Sequence, residues 1–123
     1  MARLRNMSLG LFLMAIATVI YGSLSPSLAP PGGGVIDKFE HAGAYGVLSV
    51  LALLAFETRR RQIVSLVFLF LLGSAIELAQ GYLGGREASA FDQAANTLGI
   101  FMAGTGYFWA MRNRRAASTV RAQ

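Results

Sequence analysis

The sequence predicts an all-α membrane protein whose four transmembrane helices form an antiparallel bundle. Three observations predict it. The chain has 123 residues, 54% of them hydrophobic and only 14% charged. Its apolar residues fall into four blocks, roughly Met7 to Leu24, Phe39 to Phe56, Ile63 to Leu83 and Phe91 to Met111. A helix crosses the hydrocarbon core with about 20 mostly apolar residues. Nine of the eleven basic residues lie before the first block, between the second and third, or after the fourth. Cytoplasmic connections carry the excess of Lys and Arg, so both termini are expected in the cytoplasm. The same asymmetry turns the net charge of +5 into a topology signal, and no nucleic-acid partner is expected. The length fits one domain, residues 1–123.

The first segment, from Leu9 to Leu24, carries no charge and reads as scaffold. Arg3 and Arg5, an apolar run and the triplet Ser27-Leu28-Ala29 together resemble a cleaved signal peptide. Pro30 and Pro31 follow at once and disfavour cleavage, and an even number of spans needs this helix, so it reads as a retained anchor. The stretch from Ser25 to Gly34 is rich in Pro, Gly and Ser and reads as an irregular outer loop.

The second segment needs Glu40 and His41 near its outer end to reach spanning length, which makes it the least regular of the four. Residues four apart share a helix face, so Asp37, His41 and Tyr45 form one row. Glu57 and Arg59, Arg60 and Arg61 are expected to end it at the cytoplasmic face. In the third segment Glu77 lies fourteen residues beyond Ile63, a rise of about 21 Å, in the outer half of the bilayer. Gln80 lies one turn above it, and Gly73 one turn below, where a small residue admits a neighbouring helix. The turn carrying Gly84, Gly85 and Arg86 leads through Ser89 into the fourth segment, where Asp92 and Asn96 share a face. Gly99 and Ala103 continue that face with small residues suited to close packing. Tyr107 and Trp109 suit the interface, and residues 112–123 read as a short polar cytoplasmic tail.

Three segments thus bring polar groups to one outer level: Asp37, Lys38, His41, Glu77, Gln80, Arg86, Asp92 and Asn96. Ionisable residues within membrane segments are costly, face the interior and mark functional sites by default. The set is read as ligand-binding. Arg86 and Lys38 suit phosphate or another anionic group. His41 beside a carboxylate suits proton transfer, with His41 and Glu77 as the acid–base candidates, although the residues do not decide whether any reaction is catalysed. Plainer roles exist for most of them. Asp37 with Glu40, and Ser89 with Asp92, have capping-box spacing. Lys38 could snorkel, Tyr45 could be a packed aromatic, and Gln80 and Asn96 could be interhelical hydrogen-bond glue. Glu77 needs a partner, for which His41, Lys38 and Arg86 are candidates.

Cysteine is absent, which removes disulfides, thiolate catalysis and zinc–cysteine sites. His41 with carboxylates on separate helices matches no recognised metal-ligand spacing, so neither metal nor other cofactor is expected. Serine nucleophiles lack an elbow motif, and Gly81, Gly84 and Gly85 follow no strand, leaving a dinucleotide loop unsupported.

The run from Asp37 to Leu48, with Asp37, Lys38, His41 and Tyr45 entering a span, resembles the first signature of VanZ-like membrane proteins. Glu77 with Gln80 resembles the second, and Arg86, Asp92, Asn96, Thr97, Leu98 and Gly99 the third. The likeness covers residues 37–104 and implies a multi-pass protein of the bacterial inner membrane. The family's named member is linked to lowered susceptibility to the glycopeptide antibiotic teicoplanin. The leading expectation from the polar residues is an outward-opening pocket that engages membrane lipid or a lipid-linked envelope precursor. An enzyme modifying such a lipid is the alternative, followed by a small transporter or a structural membrane protein. Below Glu77 and Asn96 the segments are mostly apolar, which disfavours a path through the bundle. Oligomeric state is not encoded in these patterns.

Overall fold

A computed structural model describes residues 2–25, 34–83 and 88–121. The described residues form four α-helices and no strand: α1 (Ala2–Leu24), α2 (Val35–Ala55), α3 (Arg59–Leu83) and α4 (Ala90–Arg121). Two of them, α1 and α3, are long and apolar enough to cross a membrane. The Pro- and Gly-rich loop with its cleavage-like triplet lies outside the described residues, as does the turn of Gly84, Gly85 and Arg86.

Contacts at the helix ends fix the directions. Arg5, early in α1, pairs with Glu57 just beyond α2. Gln80 near the end of α3 donates to the Ser23 carbonyl near the end of α1 (2.8 Å). His41 in the second turn of α2 meets Asn96 in the second turn of α4. Successive helices therefore alternate in direction. α2 is the central element and packs on the other three. The apolar core joins Phe12, Tyr45, Leu48, Ala52, Leu69 and Ile100.

The connection between α2 and α3 shows how little chain the turn needs. Phe56 leaves the helix in extended conformation (φ −103°, ψ 129°). Thr58 caps α3: its Oγ1 accepts the Arg61 N–H (3.3 Å), and its carbonyl accepts the Gln62 N–H (3.0 Å). Helix ends leave carbonyls without intrahelical donors. Gln62 Nε2 supplies one to the Leu53 and Phe56 carbonyls, each at 2.9 Å, and also reaches Tyr107 Oη at 3.1 Å. One buried amide thus ties the end of α2 to α3 and α4.

Two sequence expectations change here. Arg59, Arg60 and Arg61 do not end α2; they form the first turn of α3. The chain beyond Met111 continues as helix to Arg121, because after Gly106 it holds no Gly or Pro and is rich in Ala and Arg, strong helix formers.

Between α2 and α4 the backbones come very close. A Cβ placed on Gly99 would collide with the Ala42 carbonyl oxygen and lie 3.0 Å from the Gly46 nitrogen. Only glycine fits there. That approach sets the register of α2 on α4 and brings the first turns of the two helices face to face.

Candidate functional site

Asp37 lies in the first turn of α2 and Asp92 in the first turn of α4. Both are 5% exposed. Neither serves as an N-cap. The cap of α2 is Gly34, which provides no side-chain bond, so the capping role considered for Asp37 does not apply. At α4 the cap is Ser89, whose Oγ accepts the Asp92 N–H (3.2 Å). In a capping box the acidic side chain three residues on would return to the cap's own N–H. Here Glu77 of α3 takes that position: its Oε2 accepts the Ser89 N–H at 3.1 Å. A carboxylate at a helix N-terminus is favoured by the helix dipole and the orphan amides. The Asp92 side chain is left to face α2.

There the two aspartates share Lys38. Its ammonium lies 3.2 Å from Asp37 Oδ2 and pairs with Asp92 Oδ1. Lys38 does not snorkel away; it bridges two buried carboxylates. The other oxygen of each aspartate turns to His41. Nε2 lies 3.8 Å from Asp37 Oδ1 and 3.9 Å from Asp92 Oδ2, beyond N–H···O hydrogen-bond length.

The far side of the imidazole is held by a chain of amides. Gln93 Nε2 donates to the Phe70 carbonyl of α3 (3.3 Å), Asn96 Nδ2 donates to Gln93 Oε1 (3.4 Å), and His41 Nδ1 lies 3.0 Å from Asn96 Oδ1. A peptide carbonyl can only accept, which orients Gln93. That orients Asn96, whose oxygen can accept only from an N–H on Nδ1. In the neutral ring the lone pair therefore lies on Nε2, facing the two carboxylates. Asn96 is 1% exposed, so no bulk water competes for its amide. Gly73 of α3 makes room for the chain: a Cβ there would lie 2.9 Å from Gln93 Oε1, 3.1 Å from Asn96 Nδ2 and 3.1 Å from Tyr45 Oη.

Of the eight residues expected from sequence, five converge: Asp37, Lys38, His41, Asp92 and Asn96. Glu77, 5% exposed, borders them through the α4 cap, where its Oε2 accepts the Ser89 N–H. Gln80 is drawn to α1 and acts as interhelical glue. Arg86 lies outside the described residues. Sequence reasoning missed Gln93, whose only signal was an amide three residues before Asn96 on the same helix.

Comparison with protein-family models, curated proteins and solved structures finds no match for this chain. Functional inference therefore rests on the residues themselves.

Proposed function

We propose that the chain is a four-span protein of the bacterial inner membrane, with both termini in the cytoplasm. Its polar cluster engages the headgroup of a membrane lipid or lipid-linked envelope component. The observation that carries this reading is the pair of buried aspartates, Asp37 and Asp92, with the partly buried Lys38 and His41 between them, at one end of a helix bundle whose outside is apolar. Exposed side chains include Leu13, Met14, Phe68, Leu71, Phe101 and Met102. Ionisable groups placed inside an apolar exterior are expensive and persist where they serve a ligand or pathway. At 21 residues, α2 extends about 32 Å, enough to span the hydrocarbon core beside α1 and α3. The clustering of arginines at alternate connections supports the orientation. The resemblance of residues 37–104 to VanZ-like proteins supports the envelope setting and makes altered glycopeptide susceptibility a phenotype to score.

A second reading, an intramembrane enzyme acting on such a lipid, draws on the fixed imidazole of His41. In this arrangement His41 with Asp37 and Asp92 would move the proton, while Glu77 caps α4. Incubation with labelled envelope lipids would then give a product that His41→Ala abolishes.

Native mass spectrometry after mild extraction tests the leading reading. Wild-type protein retains a lipid, and Asp92→Asn together with His41→Ala releases it. A wild-type spectrum free of lipid, or equal retention by the variant, contradicts the proposal.

A further inference from the structure

The opposite end of the bundle holds a second set of polar groups. A cavity of about 580 Å³ opens there, between the start of α3 and the part of α4 that runs past its apolar block. Phe108, Arg112 and Arg115 are spaced four and three residues apart, so they share one face of α4, and all three line the cavity. Arg59, in the first turn of α3, lines it too. Its guanidinium stacks over the Phe108 ring at 4.8 Å from the centroid, which holds a long side chain in place at the wall. Neither Arg59 nor Arg112 pairs with a carboxylate among the described residues. The carboxylate in the lining, Glu57, is taken by Arg5 of α1.

Tyr107 adds an independent argument. Gln62 Nε2 lies 3.1 Å from Tyr107 Oη. The same nitrogen reaches two carbonyls, of Leu53 and Phe56, which identifies it as the donor end of the amide. Tyr107 therefore accepts from Gln62, and its own proton has no acceptor among the described residues. Two guanidiniums and this hydroxyl line one cavity and offer donors without a committed acceptor. A phosphodiester is the complementary group, because its oxygens only accept and its charge is negative. Topology asks only that arginines lie on this side of the membrane; it does not ask that two of them share a cavity with a hydroxyl donor. Trp109 fixes the depth. It lines the cavity, is 68% exposed, and belongs to the side chains favoured at headgroup level.

We propose that this cavity binds the phosphate of an anionic phospholipid of the cytoplasmic leaflet, at a site separate from the Asp37–Asp92 cluster. Arg59 and Arg112 hold phosphate oxygens, and Tyr107 donates a further bond. Basic pockets between helices on the cytoplasmic side hold headgroups in this way. The phosphate chemistry follows from the donors alone. The choice of a lipid as its source rests on the proposed topology.

The test uses Trp109, the only tryptophan of the chain, so quenching of its emission reports on this end alone. The full chain is placed in phosphatidylcholine bilayers with rising fractions of phosphatidylglycerol carrying brominated acyl chains, and separately with brominated phosphatidylcholine. Phosphatidylglycerol is expected to be preferred by at least about fivefold, the gain from one basic side chain beside an anionic lipid. Arg59→Gln and Arg112→Gln each lower that preference by about fivefold. Tyr107→Phe keeps the ring and lowers it by about two- to tenfold. Arg114→Gln removes the same charge from the same helix outside the cavity and changes it by less than about twofold at physiological salt. Equal quenching by the two brominated lipids, or equal losses in Arg112→Gln and Arg114→Gln, overturns the site. Inorganic phosphate that shifts Trp109 emission in detergent, with no lipid preference in bilayers, assigns the cavity to soluble phosphate and overturns the lipid. Quenching by neither lipid means that α4 does not lie in the bilayer, and overturns the topology together with the site. Lipid retention at the Asp37–Asp92 cluster is read separately by native mass spectrometry, so failure of that reading leaves this result standing.

Discussion

His41 is placed by an amide chain that begins at the Phe70 carbonyl, and each link decides the orientation of the next. The consequence is a fixed tautomer, and a single histidine makes it observable. Imidazole ¹⁵N spectra of the protein, recorded where the ring is neutral, are expected to show the proton on Nδ1. In Asn96→Ala the Nδ1–H loses its acceptor, so the spectrum shifts to a mixture with the Nε2–H form. Stability falls by about 1–3 kcal/mol, the cost of leaving a buried polar group unmade. An unchanged tautomer in Asn96→Ala contradicts the chain. Asp37, His41, Asp92 and Asn96 were legible in the sequence because four-residue spacing put polar groups on one face of otherwise apolar helices. Gln93 was not, since an amide on a helix reads equally well as surface. The Ser89 bond to Glu77 was hidden for another reason: its donor is a backbone N–H, which no residue letter announces.

At the scale of elements, the pairing of α2 with α4 governs the site, because it brings Asp37 opposite Asp92. It depends on Gly99 lying against the backbone of Ala42 and Gly46. Backbone atoms cannot rotate aside as a flexible side chain can. Gly99→Ala is therefore expected to destabilise the protein by about 1–3 kcal/mol or more and to loosen the cluster. At Gly106, on the same helix, an added methyl would meet nothing within 4 Å; Gly106→Ala should gain about 0.5–1 kcal/mol from helix propensity alone. Unfolding monitored by circular dichroism compares the two, and equal stability of both variants contradicts the close crossing. The small-residue spacing of Gly99 and Ala103 made this face readable in advance. The helix ends were less readable. Thr58 caps α3 from inside a charged stretch, where the arginines suggested a boundary, and α4 extends past its apolar block because helix propensity outlasts hydrophobicity.

At the scale of the whole molecule, the distribution of side chains is inverted relative to a water-soluble bundle. Large apolar residues such as Leu13, Phe68 and Phe101 are exposed, while Asp37, Glu77, Gln80, Asp92 and Asn96 are buried. In the proposed membrane setting lipid would satisfy the first group, and helix–helix contacts satisfy the second. Hydropathy alone singles out α1 and α3, because the polar residues that build the site lower the apolar character of α2 and α4. The proposed topology requires α2 and α4 to cross the membrane with α1 and α3, holding the cluster beneath its outer face. The native chain has no cysteine, so single cysteines report sidedness cleanly. The decisive measurement is labelling of Gly34→Cys and Arg60→Cys in intact cells with a membrane-impermeant maleimide. In this topology Gly34→Cys is labelled at once and Arg60→Cys only after permeabilisation. Labelling of both from outside would mean that α2 does not cross, and would contradict it.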